Sequence, residues 1–325
     1  MTERTNGRLG ICAGPSWGCS VSELVEAAAL AEQRGFARLT TGEYRSDPFA
    51  WLAVLSGATR TLHLGTTIAS ISTRHPIVAA EAVAALVDTH GPRYEPAFGV
   101  SHRVLNDELG LPQPDLNDLA DYVRCVRAAL LGREASHGRF RVPATDRDRV
   151  GPPTVPLLVA ALGVKATRRA LQFADGVVLT WTPEAQVRAA RDEIRRSEDA
   201  GKRLRVVLPT FPNEDPGIAE AACGRALHAY LGLPAYRRMM VEALGDAERV
   251  EAAASGPADG VAAVLGPAAL GSVAALGPRH RIDAAVERQL AAGADDVVLY
   301  PLDAGAGWRG ALRTVLEQPV ERWGM

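Results

Sequence analysis

Short apolar runs rich in β-prone residues alternate with longer segments of helical periodicity along most of this chain. Such alternation is typical of parallel strands that are joined by crossover helices. We predict about eight strands, which cover 8–13, 37–41, 62–69, 94–100, 156–161, 176–181, 205–211 and 296–301.

The segments between these strands carry the spacing of amphipathic helices. In 22–34 the apolar residues recur on one helical face, and Gly35 follows as a C-terminal cap. The same spacing recurs in 76–89 and 116–131. We expect these helices to cover the sheet from outside.

The strand count favours a closed barrel over an open doubly wound sheet. An open sheet usually carries GxGxxG after its first strand, whereas the first strand here is followed by Gly14, Pro15, Ser16 and Trp17. A length of 325 residues suits a (β/α)8 TIM barrel with insertions. We therefore predict an α/β fold of this kind, as a single domain over 1–325.

Two connections are too long for simple crossovers. The first, 132–153, is rich in Arg, Asp and Pro. The second, 213–278, contains its own helical patterns, including an apolar stripe through Leu227, Tyr230 and Leu231. We expect a helical insertion at about 213–278 that forms a lid.

Charge and composition exclude several classes of partner. The chain has 36 Lys and Arg residues against 38 Asp and Glu, and no dense basic stripe that would hold a phosphate backbone, so we expect no nucleic acid partner. The sequence lacks a signal peptide and an apolar run of roughly 18 residues, which predicts a cytoplasmic protein with no membrane segment. None of the four cysteines has metal-ligand spacing, so we expect no metal.

In a barrel, the chemistry lies at the C-terminal ends of the strands. The second strand is followed by Glu43 and Tyr44, which could contact a ring system or relay a proton. The alternative is that Glu43 is a loop carboxylate paired with Arg45 or Arg74.

The end of the third strand carries hydroxyls at Thr67 and Ser70. Hydroxyls in an otherwise apolar strand need partners, and the polar edge of a cofactor is one candidate. His75 stands before Pro76 at a helix start, where a capping role is favoured over catalysis.

The ends of the fourth and sixth strands offer further candidate residues. Gly99, Ser101 and His102 form a turn that could bind an anion or a polar substrate, although an ordinary βα turn remains an alternative. Trp181 follows the sixth strand and either lines a pocket or simply packs.

The fifth strand runs directly into a predicted helix through a glycine, and the N–H groups at such a helix start bind phosphate well. The junction consists of Ala161, Leu162, Gly163, Val164 and Lys165. The sequence has no nucleophile elbow, HExxH, Walker A loop or EF-hand loop. We therefore expect a cofactor to supply the reactivity.

Four groups of segments follow one another in a fairly specific order and spacing: 28–36 with Glu43; Leu64-Gly65-Thr66-Thr67-Ile68 with Arg74-His75-Pro76; Phe98-Gly99-Val100; and Ala160-Ala161-Leu162-Gly163 with Ala174-Asp175-Gly176-Val177. Together they resemble the bacterial luciferase-like monooxygenase superfamily, and within it the branch that uses the deazaflavin coenzyme F420. The resemblance covers most of the chain.

The resemblance implies a flavin-type ring across the barrel mouth, edged by Glu43 and Tyr44 and backed by a non-proline cis peptide at Thr67–Ile68. It implies that Ser70, the loop 99–102 and the segment 161–165 hold the side chain and phosphate of the cofactor. The substrate would lie among Trp17, His102 and Trp181. A homodimer is the expectation for the family.

Two positions depart from the pattern of the family. The loop after the fourth strand is usually glycine-rich, but here it reads Gly99-Val100-Ser101-His102, which narrows the site. Tyr44 stands where many deazaflavin relatives have His, so an imidazole base cannot simply be transferred.

The leading hypothesis is an F420-dependent oxidoreductase, with Glu43, Tyr44 and His102 as catalytic candidates, that passes a hydride to or from a small organic substrate. The first alternative is an FMN-dependent monooxygenase, because the same mouth accommodates either ring. The second is a non-catalytic ligand-binding barrel, suggested by the altered loop 99–102. A cofactor-free aldolase is disfavoured, since Lys165 at a helix start suits anion binding better than Schiff-base chemistry.

Overall fold

The computed structural model describes residues 7–14, 19–145 and 155–317. The strands are short, and most coincide with the apolar runs of the sequence. They are β1 (Leu9–Cys12), β2 (Arg38–Thr41), β3 (His63–Thr66), β4 (Ala69–Ser70), β5 (Tyr94–Glu95), β6 (Ala97–Gly99), β7 (Ala135–His137), β8 (Phe140–Val142), β9 (Leu158–Ala160), β10 (Gly176–Thr180), β11 (Arg203–Pro212), β12 (Ala275–Gly277) and β13 (Asp296–Pro301).

Parallel pairing of these strands forms the predicted TIM-type barrel. From β1 the pairing runs through β2 to β3, from β3 to β5, and from β4 to β6. It continues through β9, β10, β11 and β13 and returns to β1. The chain passes through eight strand positions, because β3 with β4 and β5 with β6 each occupy one.

The two divided positions correct the prediction of continuous strands at 62–69 and 94–100. The first is interrupted at Thr67–Ile68, where the peptide bond is cis. The second is interrupted at Pro96, which has no N–H to donate to a ladder.

Helices follow the strands and cover the barrel. They are α1 (Val21–Gln33), α2 (Pro48–Ala58), α3 (Pro76–His90), α4 (Arg103–Glu108), α5 (Leu116–Leu130), α6 (Gly163–Ala170), α7 (Glu184–Arg196), α8 (Pro216–Leu231), α9 (Pro234–Leu244), α10 (Ala247–Ser255), α11 (Val261–Val273), α12 (Arg279–Ala291) and α13 (Gly307–Leu316).

Local sequence signals determine where several helices begin. Ser20 and Glu23 form a reciprocal capping box at the start of α1. At α3, the ring of His75 accepts a hydrogen bond from Ile77 N at 3.4 Å, which confirms the capping role predicted for this histidine.

The two long connections differ in structure. The first contains the antiparallel hairpin of β7 and β8, while its residues 146–154 lie outside the described part. The second forms α8 to α11 and ends in β12, which pairs in parallel with the end of β11. These helices bury an apolar cluster of their own against the barrel mouth. That the chain is one domain stays a prediction.

The N-terminal end of the barrel interior holds buried charges. Arg38 Nε donates to Glu95 Oε2 at 3.1 Å, and Arg205 donates to both Glu95 and Asp296. All four side chains are at most 8% exposed. Gly10 leaves the space that Arg38 fills, since a Cβ there would lie 2.4 Å from Arg38 Cγ.

Candidate functional site

Unusual backbone marks the C-terminal end of the barrel. Among the described residues, three that are not glycine have positive φ angles, Arg45 at 58°, Ser101 at 64° and Trp181 at 52°. All three lie in loops that follow strands β2, β6 and β10. Left-handed backbone at such residues is costly and concentrates at functional sites, so the mouth of the barrel is where a site is expected.

A cavity of about 320 Å³ opens between the loops after β2, β4 and β6 and helix α4. We call it the polar cavity, since nine of the twelve residues that line it have polar or charged side chains. Its polar lining comprises Glu43, Arg45, Ser46, Asp47, Ser70, Thr73, Arg74, Ser101 and Asn106. Three residues predicted for the site, Glu43, Ser70 and Ser101, are therefore brought together here.

Glu43 is held firmly in this cavity. Its Oε2 accepts hydrogen bonds from Arg74 Nη1 at 2.8 Å and from Ser70 N at 2.9 Å. The side chains of Glu43 and Arg74 are 8% and 9% exposed. The alternative interpretation of Glu43 as an ion-paired loop carboxylate is confirmed for Arg74, whereas Arg45 pairs with Glu108.

Asn106 adds a polar atom with unused hydrogen-bonding capacity. Its Nδ2 donates to Val100 O at 3.1 Å, which fixes the orientation of the amide. Its Oδ1 is buried and has no partner in the part of the chain that the structure describes. A buried acceptor of this kind normally has a donor, so the cavity can take a group that carries N–H or O–H.

The strand ends beside the cavity form a hydroxyl-rich platform. Thr67 Oγ1 donates to Thr40 Oγ1 at 2.9 Å and lies 3.3 Å from Cys12 Sγ. Burial raises the pKa of Cys12 to about 11, so the thiol stays protonated and is no nucleophile at neutral pH. The cis bond predicted at Thr67–Ile68 is confirmed.

Gly99 gives the Ile68 side chain room at this platform. A Cβ on Gly99 would lie 2.6 Å from Ile68 Cδ1. The glycine thus lets the Ile68 side chain pack against the apolar interior of the barrel.

A second group of side chains closes over the mouth, and we call it the aromatic cluster. It consists of His102, Trp181, Phe211, Tyr230 and Tyr236. The ring centroids of His102 lie 5.8 Å from Tyr230 and 5.9 Å from Tyr236, and Trp181 lies 5.1 Å from Tyr230 and 6.2 Å from Phe211. Helices α8 and α9 of the long connection supply the two tyrosines.

Burial holds this cluster in its uncharged forms. It lowers the pKa of His102 and raises the pKa values of Tyr230 and Tyr236. Trp181 is 1% exposed, and its side chain forms a hydrogen bond with Tyr230 that partly offsets the rise in the pKa of that tyrosine.

Helix α6 begins at the mouth with an exposed positive end. Its N-cap, Leu162, provides no side-chain hydrogen bond, and no acidic residue lies in the first turn. Gly163 has φ 78° and open space where a Cβ would be. With Val164 and the exposed Lys165 in the same turn, this helix start suits an anionic group such as a phosphate.

The remaining residues predicted for the site lie at different positions around the mouth of the barrel or outside the described residues. Tyr44, which stands between the cavity residues Glu43 and Arg45, is 44% exposed and has the Arg45 guanidinium 5.1 Å from its ring centroid. Ala161 is buried at the end of β9, where its N–H donates to Val178 O. Trp17 lies outside the described residues.

Sequence reasoning missed Tyr230 and Tyr236 as site residues. Tyr230 belongs to the apolar stripe recognised in 213–278, but the stripe alone gives no indication of what it packs against. An aromatic residue near the end of a predicted lid helix is the one signal that could have identified it.

Two classes of feature are absent from residues 7–14, 19–145 and 155–317. No three His, Cys, Asp or Glu side chains there are grouped as metal ligands. No helix in those ranges is both long and apolar enough to cross a membrane.

Comparison with known proteins gives consistent matches. The family model for luciferase-like monooxygenases matches residues 7–296. The F420-dependent glucose-6-phosphate dehydrogenase of Beutenbergia cavernae is 30% identical over 255 residues, which are 71% of this chain and 76% of that protein.

Solved structures show the same fold. The coenzyme F420 dependent tetrahydromethanopterin reductase of Methanopyrus kandleri has a TM-score of 0.77 at 18% identity, over 97% of this chain and 99% of that one. An F420-dependent secondary alcohol dehydrogenase, solved with an F420-acetone adduct, has a TM-score of 0.75 at 15% identity, over 96% and 97% of the two chains.

Proposed function

Because the chain belongs to the luciferase-like monooxygenase family, we propose that it is a coenzyme F420-dependent oxidoreductase acting on a small organic substrate. The observation that carries the proposal is the uncapped start of α6, with Gly163 and Lys165, at the mouth of a barrel whose buried Cys12 thiol stays protonated. An anionic cofactor tail fits that helix start. The 30% identity to an F420-dependent relative favours the deazaflavin over FMN.

Different residues of this chain would bind the phosphate and the ring of the cofactor. The N–H groups of Gly163, Val164 and Lys165 would hold the phosphate. The platform of Thr67, Ile68 and Gly99 would support the ring, and the deazaflavin, when bound, supplies the hydride-transfer chemistry.

The polar cavity would position the ring edge. Arg74 and Ser70 N hold the Glu43 carboxylate in one orientation, and Ser101 also lines the cavity. Tyr44 stays a predicted catalytic residue, together with Glu43 and His102. His102 and Trp181 would contact the substrate on the other side of the mouth.

Two features beyond the activity stay proposals. We expect a homodimer on the basis of the family resemblance, and a cytoplasmic location stays a prediction from the sequence. Light scattering coupled to size exclusion tests the first, since a mass near 34.4 kDa would contradict it.

Titration of the purified protein with oxidised F420 and, separately, with FMN tests the proposal through the change in fluorescence of each cofactor. We expect F420 to bind at micromolar concentration or tighter and FMN to bind more weakly. Preference for FMN would indicate the monooxygenase alternative, and binding of neither would favour a non-catalytic barrel.

A matched pair of variants tests the site at α6. Asp and Asn are similar in size and both tolerate left-handed backbone, so Gly163→Asp and Gly163→Asn differ chiefly in charge. We expect Gly163→Asp to weaken F420 binding about ten-fold more than Gly163→Asn, because a carboxylate repels the phosphate at the helix start. Equal effects of the two variants would contradict this placement of the phosphate.

A further inference from the structure

We propose that a second cavity, on the outside of the barrel between α12 and α13, binds a free α-amino acid with an apolar side chain in its zwitterionic form. We call it the outer pocket. It has a volume of about 290 Å³, and none of its described lining residues also lines the polar cavity. Binding there is independent of the proposed cofactor, because the pocket lies outside the wall of strands.

Apolar side chains form the floor of the outer pocket. Leu9 and Leu299 come from the paired strands β1 and β13, while Ile282 comes from α12 and Val315 from α13. All four are at most 6% exposed. Leu299 faces the helices, since Val298 beside it packs in the apolar interior of the barrel. An aliphatic side chain that enters the pocket would therefore exchange water for apolar contacts.

Two groups of opposite charge stand at one end of the outer pocket. Glu214 and Arg279 both line it. Glu214 follows the end of β11 at Pro212 by two residues, and Arg279 follows the end of β12 at Gly277 by two residues. Pro212 and Gly277 are partners in the parallel register of these strands, which run about 5 Å apart. The two charged side chains therefore extend from neighbouring backbone, and an amino acid carries both opposite charges on one carbon.

The surroundings of each charge favour a different pole of the ligand. Arg279 Nε donates to Asp283, and a guanidinium has five N–H donors in all. The first turn of α12 has no acidic residue, and its N-cap Pro278 provides no side-chain hydrogen bond, which favours a carboxylate at this side. Glu214 is exposed and precedes Asp215, so the other side favours an ammonium.

Asn213 holds the polar end of the pocket in place. Its backbone N–H donates to Gly277 O at 3.3 Å, and its Nδ2 donates to Ala304 O at 2.6 Å. Its Oδ1 accepts a hydrogen bond from Asp215 N at 2.8 Å. These contacts join the ends of β11 and β12 to the loop before α13. A site that is formed in advance loses less entropy when a ligand binds.

The same polar end lies where the long connection leaves the barrel and returns to it. Glu214 precedes α8, and Arg279 begins α12 directly after β12. An amino acid that contacts both residues would join the two ends of the segment that contains α8 to α11. We therefore expect the ligand to slow amide hydrogen exchange at 212–217 and 277–282, which locates its site.

Four probes test the recognition of the ligand. L-Leucine has both charges and an apolar side chain. 4-Methylpentanoate is the same molecule without the ammonium, 3-methylbutylamine is the same molecule without the carboxylate, and L-serine lacks the apolar side chain. Calorimetric titration should give a Kd of about 1 mM or lower for L-leucine, and a Kd about five-fold higher or more for each of the others.

Matched variants test the position of the site. Glu214→Gln should weaken L-leucine about five-fold and leave 4-methylpentanoate within about two-fold, because only L-leucine has an ammonium. Glu242→Gln, at an exposed position on α9, is the control and should change neither. Thr314→Trp fills the pocket from an exposed position on α13 and should abolish binding, whereas Thr314→Val keeps the size of the side chain and should not. Circular dichroism of each variant checks that it folds.

Several results would overturn the proposal. They are the absence of L-leucine binding at about 10 mM, equal binding of 4-methylpentanoate and L-leucine, and unchanged L-leucine binding by Thr314→Trp. The cofactor titration has no bearing on these results, so either proposal can fail while the other stands.

Discussion

Apart from the Glu43–Arg74 ion pair at the mouth, the two ends of the barrel treat buried ionisable groups in opposite ways. At the N-terminal end, Arg38, Glu95, Arg205 and Asp296 are buried as charged groups that pair with one another. At the C-terminal end, burial drives Cys12 and the members of the aromatic cluster to their neutral forms. This division matches the general rule that the bottom of such a barrel provides stability and the top provides function.

Glu95 and His102 differ in charge because of their neighbouring groups and not because of how deeply each is buried. Burial alone would raise the pKa of Glu95, but Arg205, a hydrogen bond from His63, Arg38 and Arg203 outweigh it and hold that pKa well below its usual range. Burial lowers the pKa of His102 without an opposing charged group, so the ring stays neutral. The buried charge of Glu95 is kept by several compensating groups, and His102 has none.

The largest expected effect comes from removing Glu95. In Glu95→Ala, Arg38 and Arg205 lose a buried counterion, and we expect the free energy of unfolding to fall by about 3–5 kcal/mol. Urea unfolding measures it. Glu251→Ala, which breaks the exposed pair with Arg237, is the control and should lose at most about 1 kcal/mol. Similar losses in the two variants would remove the contrast between a structural network and ordinary surface charges.

Acidification tests the same end of the barrel. The pKa of Glu95 is depressed in the folded state, so its contribution to stability is present above about pH 4.5, the unfolded value, and is lost as the pH falls toward the folded value. We expect the stability difference between wild type and Glu95→Gln to shrink below pH 4.5, measured by urea unfolding across pH. A constant difference down to pH 3 would contradict the linkage.

A smaller effect is expected at the polar cavity. Arg74→Met removes the charge beside Glu43, but Ser70 N still donates to that carboxylate and the carboxyl can take up a proton. We expect a loss of about 1–3 kcal/mol in the free energy of unfolding, together with weaker F420 binding. Arg45→Met, at the exposed pair with Glu108, should cost at most about 1 kcal/mol. Loss of stability without any change in cofactor affinity would make the cavity purely structural.

The smallest effect on stability is expected at Tyr44. With its side chain 44% exposed, Tyr44→Phe should change the free energy of unfolding by less than about 0.5 kcal/mol. Turnover should nevertheless fall about ten-fold or more if the hydroxyl relays a proton, and steady-state kinetics measures it. Unchanged turnover would take Tyr44 out of the catalytic set.

The barrel could be predicted from the sequence because the signals for its strands are local. The runs at 37–41 and 296–301 are rich in β-prone residues over one strand length, and the structure has strands at Arg38–Thr41 and Asp296–Pro301. Pro96 could have indicated the break between β5 and β6, since proline has no ladder donor. The confirmed cis bond at Thr67–Ile68 came from the family resemblance and not from propensity.

The buried ion pairs and the aromatic cluster could not be predicted from the sequence, because they depend on contacts between residues that lie far apart in it. Glu95 and Arg205 lie 110 positions apart, and each one alone looks like a polar residue in a strand. Tyr236 and His102 come together only after α9 packs over the mouth. The helix start at Gly163 was accessible to sequence reasoning, because a strand, a glycine and a helix follow one another directly.

The left-handed residues at the mouth bear on how this protein would respond to engineering. Glycine at Arg45 or Ser101 would relieve an unfavourable backbone conformation, so selection for heat resistance alone is drawn to these two loops. The same changes would remove a side chain from the polar cavity. A thermostability campaign on this barrel should therefore fix those two positions and seek its gains among the outer helices.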